Sequence, residues 1–255
     1  MDTIGVAGKP RDTTCSRTRR PRSSFLSHGV FVSVDLQESA RGYLSEQSLP
    51  AAWRQLGFTV ADCNAAIDYL HDTALANARR VADACRALNL PMIFVRWGYQ
   101  FRDAMDLAPD VYQMFMRDIG PDKAKWPHHI SEPGSCIAEA LGVRPGEYVL
   151  AKTDQDAFGS CNIHFVLKNL SARSIVFVGG HTQGCLHRTA LSAHRLGYRT
   201  LCVADATFNA RESTRVRGIE EGQFDYVMPT DQFVAWAERV AEPSPERRAP
   251  RRRRA

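Results

Sequence analysis

The segment Val178-Gly179-Gly180-His181-Thr182-Gln183-Gly184-Cys185 reads as the end of a strand, a glycine-rich turn and the start of a helix at the cysteine. A thiol in that position sees unsatisfied helix-terminal N–H groups. They lower its pKa toward the thiolate and can hold the oxyanion that forms when sulfur attacks a carbonyl. A sulfur nucleophile also needs a proton acceptor. Asp35, which ends the apolar run Val30 to Val34, supplies a carboxylate able to pass the proton to a leaving nitrogen. Lys152, after Tyr148 to Ala151, can keep that carboxylate charged. The chemistry implied is acyl transfer. A lone cysteine in such a sequence is also compatible with a buried packing residue, the role assigned to Cys63, Cys85 and Cys202.

Elements that would position these groups follow from hydrophobic periodicity. Short apolar runs at Val30 to Val34, Pro91 to Val95, Tyr148 to Ala151, Ser174 to Val178, Thr200 to Ala204 and before Met228 predict about six strands. Apolar residues at helical spacing separate them: Asn64 to Leu88, Ile163 to Leu170, Cys185 to Leu196 and Thr230 to Val240. Strands that are continuous apolar runs alternating with helices predict an α/β fold, a three-layer α/β/α sandwich around a mostly parallel sheet. Ligands of such sheets bind beyond the carboxyl ends of the strands, where Asp35, Lys152 and Gly179 to Cys185 all fall. The stretch from Trp97 to Glu147 interrupts the rhythm with many aromatics and methionines, as a lid, a pocket wall, a satellite core or an oligomer contact would.

A chain of 255 residues, 44% hydrophobic, is expected to form one domain, residues 25–241. Its formal charge of +5 resides in the ends: residues 1–24 and 242–255 each carry about six basic and two acidic residues. The body is then mildly acidic and shows no bias toward polyanions, so nucleic acid is not an expected partner. The ends, with Arg17, Arg19, Arg20 and Arg22 in one and Arg251 to Arg254 in the other, read as disordered basic tails. No apolar stretch follows the first arginines as a secretory signal requires, and none approaches the about 20 residues of a membrane span. Seven scattered cysteines without a CxxC pair argue against a disulfide framework or structural zinc site and suit the cytoplasm.

The order Asp at a strand end, Lys before a helix and Gly-x-x-Thr-x-x-Cys resembles the isochorismatase-like cysteine hydrolases. The likeness runs from about Val30 to Val240 and is strongest in VLAKTDQDAFGSCNIHFVL, IVFVGGHTQGCLHRTALSA and GYRTLCVADATFNA. It implies a catalytic triad of Asp35, Lys152 and Cys185, a cis peptide at Gly180-His181, and an oxyanion hole from the backbone N–H groups of His181 and Cys185. It further implies a homo-oligomer, a dimer or tetramer, and hydrolysis of a C–N bond in a small amide, carbamoyl or ureido compound. Trp97, Phe158 and Gln183 are the candidate substrate-binding residues, with Asn209 a weaker one. Asp205, Arg211 and Glu212 are taken as structural.

The nicotinamidase branch of the family binds a metal through Asp and paired His, but Glu38 to Leu107 offers only His71, so neither metal nor other cofactor is expected. His128 and His129, adjacent in sequence, read as loop histidines. Two other functions stay open: vinyl-ether cleavage of isochorismate, in which the aspartate acts as acid and the thiol is idle, and a non-catalytic scaffold with nucleic-acid-binding tails.

Overall fold

The computed structural model describes residues 21–242, so most of both basic tails lies outside the described residues. Residues 23 and 24 already enter a 3-10 helix, Ser23–His28, that buries Phe25 and Leu26. The strands are β1 (Gly29–Val34), β2 (Met92–Trp97), β3 (Tyr148–Lys152), β4 (Ser174–Gly179), β5 (Arg199–Thr207) and β6 (Tyr226–Met228). They form one sheet in the order β3-β2-β1-β4-β5-β6, and every neighbouring pair is parallel.

The helices are α1 (Ala51–Gln55), α2 (Val60–Tyr69), α3 (Leu75–Ala87), α4 (Pro109–Asp118), α5 (Ala157–Ser160), α6 (Ile163–Asn169), α7 (Cys185–Arg195), α8 (Glu212–Glu221) and α9 (Thr230–Ala241). The alternation of side chains along the strands divides them into two layers. Phe31, Phe94, Val176, Val178 and Leu201 pack against α3 and α9. Val30, Val32, Ile93, Ile175 and Phe177 face the opposite way, against α5, α6 and α7. With both faces covered, β1 and β4 are buried at every position, which explains why they are apolar apart from Ser33 and Ser174.

The helical stretch expected over Asn64 to Leu88 begins earlier and is not uniform. Thr59 and Asp62 form a reciprocal capping box at the start of α2, and a π-helical turn, Leu70–Ala74, joins α2 to α3. The aromatic stretch after Trp97 folds over its own small core of Tyr99, Leu107, Val111, Phe115 and Trp126. Its return passes through a bridge between Tyr99 and His129, which fixes where the adjacent His128 sits.

Two glycines permit the central strands to end where they do. Gly179 has φ +108°, and a Cβ there would lie 2.0 Å from the Val34 carbonyl oxygen. Gly180 donates its N–H to the same oxygen at 3.0 Å, while a Cβ on it would strike the Phe208 ring. Close approach of β4 to β1 at their carboxyl ends therefore requires glycine at 179, and packing of Phe208 over the turn requires it at 180.

Asp205 has the structural role expected of it, although it lies inside β5 and not at its end. Its Oδ1 accepts from the Thr230 N–H and hydroxyl, both at 2.7 Å, and so caps the start of α9. Asp205→Ala should lower the free energy of unfolding by about 1–2 kcal/mol in urea titration. An unchanged midpoint and slope would show that α9 does not depend on this cap.

Candidate active site

Asp35, Lys152 and Cys185 come from three separate strand ends and meet at one place. Asp35 follows β1 with φ +53°, and its N–H is held by the Val95 carbonyl at 2.9 Å. Lys152 is the last residue of β3, and its side chain is fully buried. Its Nζ lies 2.9 Å from Asp35 Oδ2 and donates to the Asp154 carbonyl at 3.1 Å, while the Trp97 ring covers it with its centroid 4.7 Å away. The ammonium group thus faces a carboxylate, a carbonyl and a π face, with the Cys185 sulfur also close by. Asp35 Oδ1 is buried and carries no hydrogen bond. Cys185 opens α7 and interacts with both members of the ion pair.

The electrostatics of the thiol differ from the sequence expectation. Burial first, and the Asp35 carboxylate second, push the Cys185 thiol up to about 12, and Lys152 offsets this only in part. Proximity to a helix start does not lower the pKa when the sulfur is desolvated beside an anion. Lys152 is opposed by burial as well, but Asp35 and Cys185 outweigh that and hold it above the ordinary lysine range. The resting arrangement is a neutral thiol beside a lysine–carboxylate pair.

The turn between β4 and α7 supplies backbone donors. The Gly180-His181 peptide is cis. Within this turn Gly184 and Leu186 donate to the His181 carbonyl, whereas the N–H groups of His181 and Cys185 meet no acceptor among the turn and cap bonds of the described residues. Two free donors next to a sulfur are what a developing oxyanion requires.

The other candidates divide. Trp97 is at the site, stacked on Lys152, with its N–H and C=O both held by the side chain of Gln37. Phe158 is not brought there. Its ring packs with His164 and Tyr198, centroids 6.1 Å from each, and Tyr198 precedes β5 at the opposite end of the sheet. Asp156 caps α5 through the Phe158 N–H, and although Cys161 one turn on still feels Lys152 and Asp35, the Phe158 ring is directed the other way. Gln183 is exposed, with no hydrogen bond from its side chain to the described residues. Asn209 is buried and holds the turn, donating to Thr182 Oγ1 at 3.0 Å and lying 3.3 Å from His181 Nδ1. Arg211 pairs with Asp62 at 3.0 Å, and Glu212 with Arg215.

Two residues not singled out for the site belong to it. Gln37, 3% exposed, ties the segment after β1 to the end of β2 and so fixes the separation of Asp35 and Trp97. His128 lies in the loop expected for both histidines, but with φ +73° and half-buried it also feels both Asp35 and Lys152. Burial, more than the nearby charges, keeps it below the ordinary histidine value. His129 instead is structural, with Nε2 on the Gln100 carbonyl at 2.9 Å and Nδ1 on Ser131 Oγ at 2.7 Å.

A parallel sheet with this cysteine-bearing turn defines a class, and sequence comparison agrees with it. The isochorismatase domain model matches residues 54–232, and the chain belongs to the isochorismatase family. It is similar to N-carbamoylsarcosine amidase of an Arthrobacter species, 22% identical over 200 residues, covering 70% of this chain and 71% of that one. A ureidoacrylate amidohydrolase RutB of Pseudomonas syringae pv. syringae is 25% identical over 194 residues, covering 67% and 73%. Among solved structures, an isochorismatase family protein of Burkholderia thailandensis superposes with a TM-score of 0.60 at 23% identity, covering 83% of this chain and 96% of that one. N-carbamoylsarcosine amidase of Thermoplasma acidophilum does so with a TM-score of 0.55 at 18% identity, covering 80% and 96%.

Because Asp35 raises the thiol pKa while Lys152 lowers it, neutralising the carboxylate should release the sulfur. In Asp35→Asn the pH midpoint for alkylation of Cys185, followed by mass spectrometry of its peptide, should fall by about 1 unit or more relative to wild type. A midpoint that stays or rises would mean that burial alone sets the resting state.

Proposed function

We propose that the chain is a cysteine amidohydrolase that cleaves a C–N bond of a small amide, carbamoyl or ureido compound. The observation that carries this reading is the convergence of Cys185 with a buried Lys152–Asp35 pair whose second carboxylate oxygen is left without a donor. Relatives named as amidases and amidohydrolases support the same bond class.

Catalysis starts with transfer of the thiol proton to the free Oδ1 of Asp35 as sulfur attacks the substrate carbonyl carbon. The C–S bond forms, the carbonyl π pair moves to oxygen, and the oxyanion takes the N–H groups of His181 and Cys185. Collapse of the tetrahedral species breaks the C–N bond, and Asp35 returns its proton to the departing nitrogen, which leaves as ammonia or an amine. Water then attacks the acyl-sulfur carbonyl, Asp35 takes its proton, and the acid leaves as the proton returns to sulfur. Lys152 keeps its charge throughout and steadies whichever anion is present. The free Oδ1 and the two free N–H groups thus each have a use in this sequence.

Ammonia release from a panel of small amides, carbamoyl compounds and ureides should be detectable for the wild type. It should fall at least about a thousandfold in Cys185→Ala, with far-UV circular dichroism unchanged. Turnover of isochorismate alone, surviving that substitution, would overturn the proposal in favour of acid-catalysed vinyl-ether cleavage.

A further inference from the structure

Beside the cysteine-bearing turn, on the β5 side, lies a recess of about 140 Å³ at the carboxyl ends of the strands. Leu44, Trp53, Ile67, Leu70 and Phe208 supply its apolar walls, and among the described residues no charged side chain lines it. His181 belongs to both places. Its ring lines the recess, packing on Phe208 at 4.8 Å and edge-on to Trp53 at 6.0 Å, and it also feels Asp35 and Lys152. A substrate whose carbonyl occupies the free N–H of His181 therefore has this recess within a few bonds of its reacting carbon.

The polar groups of the recess are already engaged with one another. Asn209 donates to Thr182, and its Oδ1 takes the Ala210 N–H at 2.8 Å and faces His181 Nδ1. Ser39 is exposed at the mouth. The cations nearby are likewise committed. Lys152 is enclosed by Asp35, Asp154 and Trp97. Arg211 pairs with Asp62, donates to the Gly57 carbonyl and stacks on Phe58 at 4.5 Å, although its Nε has no partner. Among the described side chains a substrate carboxylate would find only Arg211 Nε free of a partner, on a guanidinium otherwise paired with Asp62, and burying a carboxylate unpaired is costly. An apolar group would find the reverse, since a dry cavity of about 150 Å³ lined by such side chains holds a benzene molecule.

Resting on the amidohydrolase reading, we propose that the recess takes an apolar substituent of the substrate, a ring or branched alkyl group of roughly benzene size. The compound cleaved is then a neutral, hydrophobic amide or carbamoyl compound and not a carboxylate-bearing ureido acid. Ala66 lines the recess, and enlarging it removes the space.

Two measurements on the full chain test this, using phenylacetamide, acetamide and N-carbamoylsarcosine as probes. In turnover, kcat/KM for phenylacetamide should exceed that for either other compound by about tenfold or more, and Ala66→Phe should reduce the phenylacetamide-to-acetamide ratio by about tenfold or more. In calorimetry, Cys185→Ala should bind phenylacetamide, and adding Ala66→Phe should weaken binding by a similar factor. Ala66→Val, smaller but in the same direction, replaces the phenylalanine variant if that does not fold. Absence of turnover with all three compounds would count against the nucleophile and leave the recess to be judged by binding. Turnover that favours N-carbamoylsarcosine, or phenylacetamide binding indifferent to position 66, would overturn the recess proposal while leaving the cysteine chemistry standing.

Discussion

A fully buried lysine beside a carboxylate is the constraint around which the site is built. Removing two charges from water costs several kcal/mol per ion even after relaxation, and attraction at 2.9 Å offsets that only when the remaining hydrogen-bonding capacity is met. On the lysine side it is met by Asp35, the Asp154 carbonyl and the Trp97 face. The carboxylate is met on one oxygen only. An isolated buried oxygen of this kind is a structural cost with no packing return. The neighbour able to use it is the Cys185 thiol, which burial first and Asp35 second hold in its neutral form.

Topology explains how three residues spread over 150 positions of the chain come to share so small a volume. In the order β3-β2-β1-β4-β5-β6 the chain runs outward from β1 in one direction and from β4 in the other. The loops leaving β1 and β4 therefore diverge to opposite sides and leave a crevice at their common end. Asp35 and the turn leading to Cys185 flank that crevice. Lys152 reaches it from β3 because its long side chain passes beneath Trp97, whose backbone is pinned by Gln37. The recess occupies the other side, where β5 ends at Thr207 and the following residues close on α2.

Much of this is legible in the sequence because the signals are local. Largely apolar strands, their alternation with helices and the glycine-rich turn define the sheet, and strand ends are where a parallel sheet exposes chemistry. Asp35, Lys152, Cys185 and Trp97 could be placed on that basis. Phe158 could not: it lies in α5 soon after Lys152, yet its ring turns toward Tyr198 at the far end of the sheet, a direction set by tertiary packing. Nor could His128, whose position depends on a left-handed backbone and on the Tyr99–His129 bridge between residues about 30 apart. The direction of the thiol pKa was misjudged for a related reason. A helix start is visible in sequence, whereas burial and the distance to Asp35 arise from tertiary structure and here dominate.

A thiol held neutral at rest is compatible with nucleophilic work because the proposed reaction moves charge without adding any. Before attack the pocket holds an ammonium, a carboxylate and a neutral thiol. After it, it holds the same ammonium, a neutral carboxylic acid and an oxyanion on the substrate. The negative charge has moved from Asp35 to the N–H groups of the turn, and Lys152 balances it in both positions. A site carrying a preformed thiolate would instead need a second buried cation, or would force Asp35 to be protonated in advance and unable to accept a proton. Water gains little from the same arrangement, since it has no carbonyl oxygen to place on the two free donors and so cannot draw the charge across. Activation then depends on an occupant that fills those donors, which couples reactivity of Cys185 to recognition of the substrate.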